Sequence, residues 1–240
     1  MISNVRDLVQ GASYLPRGLA LALKPGTRRY VFVPAGVNTV LFAGVIFLLG
    51  AQLDSWLERL LPDWLNWLEW LLWPLFVIAM LAMTWYAFTL VANLIASPFN
   101  DRLAEKVAAD LGRTMPQRDG SLVGDVGDAV LGELRKWRYF GGLALLVLLV
   151  WFIPVLNILF PLLWLLFGVW MMAVEYLDYP TANAGLGSFP ERRDWVRRHR
   201  WLGLGFGGAV LAATLVPVLN FLVMPVAVAG ATALWADHSE

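Results

Sequence analysis

The sequence predicts an all-helical (all-α) integral membrane protein: two long transmembrane helices, two re-entrant helical hairpins that only partly penetrate the bilayer, and amphipathic helices beside them. Three observations predict it. Apolar residues make up 59% of the 240 and charged residues 15%, with 13 tryptophans, a balance beyond that of ordinary water-soluble domains. The charge-free runs 31–53 and 71–96 are each long enough to span a bilayer. The charge-free stretch IPVLNILFP at 153–161 returns as VPVLNFLVMP at 216–225.

Composition also removes whole classes of function. Eighteen basic and 18 acidic residues balance, and a pI near 6.7 points away from nucleic acid as a partner. Cysteine is absent, which excludes disulfides, thiolate metal sites and cysteine nucleophiles. Two histidines, His199 and His238, leave little for a metal, and no cofactor is expected. The first 30 residues lack a basic, apolar and small-residue cleavage pattern, so no removable signal peptide is expected.

The expected organisation is one membrane domain over 1–240. An amphipathic helix at about 4–23 leads to KPGTRRY at 24–30, where Pro25 and Gly26 set a turn whose amides could converge. Arg28 and Arg29 add fork-shaped donors that match a tetrahedral oxyanion; the same pair also fits topogenic charge beside a span. Residues 31–53 and 71–96 contain no charge over 23 and 26 positions, enough for two transmembrane helices. Between them, Trp56, Trp64, Trp67 and Trp70 stand among four acids and one arginine, as in a helix lying at headgroup level.

After a cytoplasmic helical region at 97–138 come the two hairpins, 139–177 and 201–236. The runs 139–153, 201–216 and 221–235 hold 15 or 16 residues. As helices each reaches only about 22–24 Å, short of a hydrocarbon core about 30 Å thick. The run 158–177 is longer, but Pro161 interrupts its start and Glu175 sits near its end. Basic residues fix the topology. Seventeen of the 18 fall before residue 31, in 97–138 or in 178–200, and one falls in 54–70. The positive-inside rule puts the first three regions in the cytoplasm and 54–70 outside, so each PVLN pair leaves and returns, and both termini are cytoplasmic. The hairpin tips are assigned to Pro154 and Asn157 in one copy and Pro217 and Asn220 in the other. Proline stops the incoming helix, and asparagine stands where the outgoing helix needs a cap. Either it only satisfies its own turn, or the uncapped amides and positive dipole end face an anion.

Polar groups within the spans extend the pattern. Asn38 and Asn93 lie near the cytoplasmic ends of the two spans, at similar depth in an antiparallel pair. Pro98 ends the second span, and a helix restarts carrying Arg102, Glu105 and Lys106. Arg102 and Glu105, with Arg135, would line a cytoplasmic vestibule or, alternatively, a solvated helix face.

These residues carry a resemblance. PGTRRYVFVPAGVN, ANLIASPFNDRLAEKV, WFIPVLNILFPLLWLLFGVWMMAVEYLDYP and VPVLNFLVMPVAVAGATALW, in that order along nearly the whole chain, resemble the bacterial sulfate permease family CysZ. The resemblance implies an inner-membrane homo-oligomer, dimer-based or larger, that takes up sulfate for cysteine biosynthesis without a nucleotide-hydrolysing (ATPase) subunit, its partners being sulfate and membrane lipids. It implies sulfate contact at Gly26, Thr27, Arg28 and Arg29, and pore-lining positions at Asn38, Asn93, Arg102, Glu105 and Arg135. Thr27 stands where the family often has an apolar residue, and DYPTANAGLGSF departs from the family's wording after DYP.

Absent motifs favour transport over catalysis. The chain has no GxxxxGK[ST], HExxH or GxSxG, and the acids of the spans sit at their ends, away from where a proton relay would place one. A noncatalytic membrane scaffold, with the hairpins as oligomer interfaces, is the competing reading. A lipid-processing enzyme working on a half-inserted surface is a third.

Overall fold

The computed structural model describes residues 2–60, 74, 75, 78, 98–116 and 122–239, and the regular elements among them are all helical. The all-α expectation is met. The chain divides into two compact units, Met1–Val31 with Asn100–Glu240, and Phe32–Phe99.

The second unit is represented mainly by α2, Arg29–Leu60, which covers the first expected span. It does not stop at residue 53. No glycine or proline interrupts AQLDSWLERL, so nothing in the chain breaks the helix where the headgroup segment was expected to begin. Residues 74, 75 and 78 are helical, while Trp64, Trp67, Trp70, Asn93 and the rest of the second expected span lie outside the described residues.

In the larger unit, α1 (Ile2–Ala22) packs on α7 (Arg200–Thr214) and α8 (Pro217–His238). Glycines permit the approach. A methyl group at Gly205 would fall on the backbone of Leu8, and one at Gly18 on the backbones of Val226 and Gly230. This is the small-residue contact by which apolar helices close together when no water drives them. Residues 226–236 of α8 are buried without exception, as expected of a helix that is apolar all round. α3, residues 98–110, buries Leu103, Ala104, Val107 and Ala108, and turns Arg102 and Glu105 outward.

α4 (Leu122–Trp151) and α5 (Phe160–Asn183) form an antiparallel hairpin, shown by the paired contacts Lys136–Glu175, Tyr139–Trp170, Phe140–Phe167 and Trp151–Phe160. α6 (Phe189–Arg198) lies against its base. The outer part of the hairpin is bare: Phe152, Val155 and Ile158 are 76%, 82% and 79% exposed.

The two PVLN copies fold differently, and this corrects the capping role expected of Asn157 and Asn220. In the first, Pro154 and Val155 turn the chain, Val155 at φ 70°, and Asn157 lies inside a single 3-10 turn, Leu156–Leu159; α5 starts afterwards with Leu159 as its cap residue and Pro161 in its first turn. In the second, Val216 is the cap residue and Pro217 itself opens α8, which places Asn220 within its first turn. Neither helix has a side-chain cap. The physical reason is proline: its fixed φ and missing N–H suit the first helical turn, so each helix begins around a proline and not at the asparagine. Helix lengths change accordingly. α8 holds 22 residues, and the apolar stretch Leu156–Asn183 is long and apolar enough to cross a membrane. α7, at 15 residues, keeps the short length expected of it.

Candidate functional site

The site is built on the turn between α1 and α2. α1 ends at Ala22 and leaves its last carbonyls without helical partners. Thr27 closes them. It is fully buried, its hydroxyl donates to the carbonyl of Leu21 at 2.5 Å, and the carbonyls of Ala22 and Lys24 lie at 3.3 and 3.2 Å. A hydroxyl has one proton to donate, so Thr27 serves as a C-terminal cap. With that proton given to Leu21, the Thr27 hydroxyl has none left to donate to an anion.

The turn amides are only partly free. The N–H groups of Thr27 and Arg28 both donate to the Lys24 carbonyl, at 3.0 and 2.9 Å, which removes them from the convergent set the sequence suggested. Among the described residues, the N–H groups of Gly26 and Arg29 have no backbone acceptor.

The cations are displayed. Arg28 is exposed, and its guanidinium has no ion-pair or hydrogen-bond partner among the described residues. Arg29 donates to the Tyr30 hydroxyl at 2.8 Å and stacks over that ring at 4.8 Å, so its guanidinium plane is held. Lys24, also exposed, stands at the head of the same turn. From α3, the side chain of Lys106 passes beside Gly26. Three cations within six consecutive positions, one of them preoriented, make an open basic surface.

The other expected residues are spread more widely. Arg102 and Glu105 share the exposed face of α3, the helix that reaches the turn through Lys106. Asn38 lies in α2, Asn93 is outside the described residues, and among the described residues nothing ties Arg135 to the turn: it is exposed on α4. Its neighbour Lys136 points inward instead. Lys136 lies 2.8 Å from Glu175 and 3.3 Å from Glu133; burial works against its charge, but Glu175, Asp178 and Glu133 outweigh it and raise the ammonium pKa. Beside it, Arg192 donates to Asp178 at 2.6 Å, and Arg193 lies over Tyr139.

This polar clasp at the base of the α4–α5 hairpin was not singled out from sequence. Its signal is present as ELRKWRY facing EYLDYP, two segments on adjacent helices with opposite charge. A second clasp joins α1 to the end of α8: Asp237 accepts from Tyr14 at 2.8 Å and from Arg17. Desolvation would raise the Asp237 pKa, but the donors from Arg17 and Tyr14 lower it below the usual value. Both histidines are structural, with Nδ1 of His199 and His238 at 3.0 and 2.9 Å from the carbonyls of Trp195 and Leu234.

Residues 14–225 match the family model described as Sulfate transporter CysZ/Etoposide-induced protein 2.4. Curated relatives named Sulfate transporter CysZ include one from Pseudomonas fluorescens strain SBW25, 48% identical over 95% of this chain and 91% of its own. Another, from Pseudomonas fluorescens strain Pf0-1, is 45% identical over 95% of this chain and 93% of its own. A third, from Pectobacterium atrosepticum, is 41% identical over 98% of this chain and 88% of its own.

Proposed function

The chain belongs to the family described as Sulfate transporter CysZ/Etoposide-induced protein 2.4, and on that premise we propose that it is a sulfate permease of the bacterial inner membrane, supplying sulfate for cysteine biosynthesis. It acts as a transporter and not as an enzyme. The observation that carries the site assignment is the unpartnered guanidinium of Arg28 beside the ring-stacked Arg29, on a turn that Thr27 closes from below.

In this reading Arg28 and Arg29 meet the dianion first. Guanidinium forks match pairs of sulfate oxygens, and the free N–H groups of Gly26 and Arg29 take up further oxygens. Contacts this exposed are individually weak, as surface charge pairs are. Weakness suits transport, because a permease must bind its ion firmly enough to strip part of the hydration and loosely enough to release it. Thr27 holds the turn without touching the ion.

Beyond the turn, Arg102 and Glu105 form the cytoplasmic vestibule with Arg135, and Asn38 and Asn93 line the deeper path. Residues 31–53 and 71–96 cross the bilayer, with both termini cytoplasmic. The hairpins, tipped by Pro154 with Asn157 and by Pro217 with Asn220, are re-entrant. Their bare apolar surface, including Val155 and Ile158, faces lipid or another copy of the chain in a homo-oligomer. No ATPase subunit takes part.

Uptake of labelled sulfate into liposomes containing the purified protein tests this function. Accumulation above empty liposomes is expected; its absence from folded, assembled protein would favour a membrane scaffold.

A further inference from the structure

We propose that Lys106 is an additional sulfate-contacting residue, and that Asp110 holds it as an internal competitor which the entering anion must displace. The proposal rests on the reading of the α1–α2 turn as the sulfate-capture site and specifies how that site is tuned.

The geometry starts at Gly26. A methyl carbon placed on Gly26 would sit 3.6 Å from Cε of Lys106, so the end of the lysine stem lies beside Gly26, within contact of where a side chain would begin. Its ammonium is one bond further and is bound to Asp110 Oδ1 at 2.9 Å. The Lys106 side chain is 42% exposed, and that of Asp110 is 27% exposed. The free N–H of Gly26 and the free guanidinium of Arg28 belong to the turn that this stem approaches. Arg102 stands one turn earlier on the same face of α3.

Two physical arguments make the pair one that can be exchanged. Lys106 precedes Asp110 by four residues, and an ion pair with its cation on the N-terminal side is the weaker orientation along a helix. A sulfate dianion placed near the ammonium also carries twice the charge of the carboxylate, and Coulomb attraction scales with that charge. Lys106 has a flexible stem and three donors, so it can turn from Asp110 to an anion over Gly26 without moving the backbone. Gly26 leaves that space open, and a methyl there would come only into ordinary contact with Lys106 Cε.

This arrangement makes opposite predictions for the two partners. A pair that merely staples α3 loses the same bond whichever member is changed, so Lys106→Gln and Asp110→Asn would then act alike. A competitor does not behave that way: Lys106→Gln removes an anion donor, whereas Asp110→Asn releases one.

Sulfate binding to the full-length detergent-solubilised protein, measured by titration calorimetry at low ionic strength where such charges are least screened, decides between them. Lys106→Gln is expected to weaken binding about threefold and Asp110→Asn to tighten it about threefold, the scale of an exposed ion pair. Lys106→Arg should stay near the native value. Thermal melting of each variant separates loss of fold from loss of binding. Equal or same-direction effects of Lys106→Gln and Asp110→Asn, in a protein whose binding still depends on Arg28 and Arg29, would overturn the proposal alone. Native binding that survives Arg28→Ala with Arg29→Ala would overturn the loop reading on which it rests.

Discussion

Lys136 on α4 places its ammonium 2.8 Å from Glu175 on α5, and this pair closes the base of a hairpin whose outer end is bare. The lysine side chain is 14% exposed and the glutamate side chain 40%. Tyr139, one turn along, accepts a hydrogen bond from Trp170 Nε1 at 2.9 Å, so polar clasps concentrate on the stretch of α4 nearest α6.

Removing one partner of that pair leaves the other charge uncompensated. Lys136→Met is expected to destabilise the protein by about 1–2 kcal/mol, below the cost for a fully buried pair because Glu175 reaches solvent. The double variant Lys136→Met, Glu175→Gln should regain part of this. Denaturant unfolding of the two single variants and the double one measures the coupling; strictly additive losses would contradict a direct interaction.

At the crossing of α1 and α7 the limit is space. Gly205→Ala puts a methyl group on the backbone of Leu8, where no flexible side chain can give way. A loss of about 1–3 kcal/mol is expected, seen as a lower melting temperature. Gly208→Ala, on the same helix and 3.9 Å from its nearest neighbour, Val169 Cγ1, is the matched control and should change little.

Thr27 separates structure from function. Thr27→Val keeps the shape but removes the hydroxyl from the Leu21 carbonyl, leaving it the longer bond from the Lys24 N–H at 3.3 Å, at a cost of about 1 kcal/mol, while Thr27→Ser keeps the hydroxyl. Sulfate affinity per folded molecule should be unchanged in both. A selective loss of affinity in Thr27→Val at full stability would return Thr27 to the set of sulfate contacts.

Acid tests the clasp between α1 and α8. The folded pKa of Asp237 is lowered, so the stability it contributes is present above its unfolded value of about 4 and is lost as pH falls through the lower folded value. The Asp237→Asn variant should therefore melt below the native protein at pH 7, with the difference closing at acid pH. Partial exposure keeps the effect to about 0.5 kcal/mol.

How much of this was legible beforehand follows from the kind of interaction involved. Charge-free runs and the amphipathic first helix announced α1, α2 and the hairpin helices, because apolar length and periodicity are local properties of the chain. The exposed arginines of the α1–α2 turn were equally visible. Thr27 was not read as a cap, since its partners are carbonyls six, five and three positions back and depend on how α1 ends. The two PVLN copies misled for a related reason: one motif folds in two ways, according to whether Pro217 or Pro161 falls in the first turn of the following helix. Lys136 and Arg135 are adjacent in sequence, and only packing of α4 on α5 decides which turns inward.

Initial rates of labelled sulfate uptake into liposomes, compared for the native protein and the Arg28→Ala, Arg29→Ala variant at equal amounts of folded protein, show whether the two arginines capture the ion. Capture at the α1–α2 turn predicts saturable native uptake that falls about tenfold or more in the variant at low sulfate, the loss expected when two charge-assisted contacts go. Equal uptake by the two proteins would contradict it.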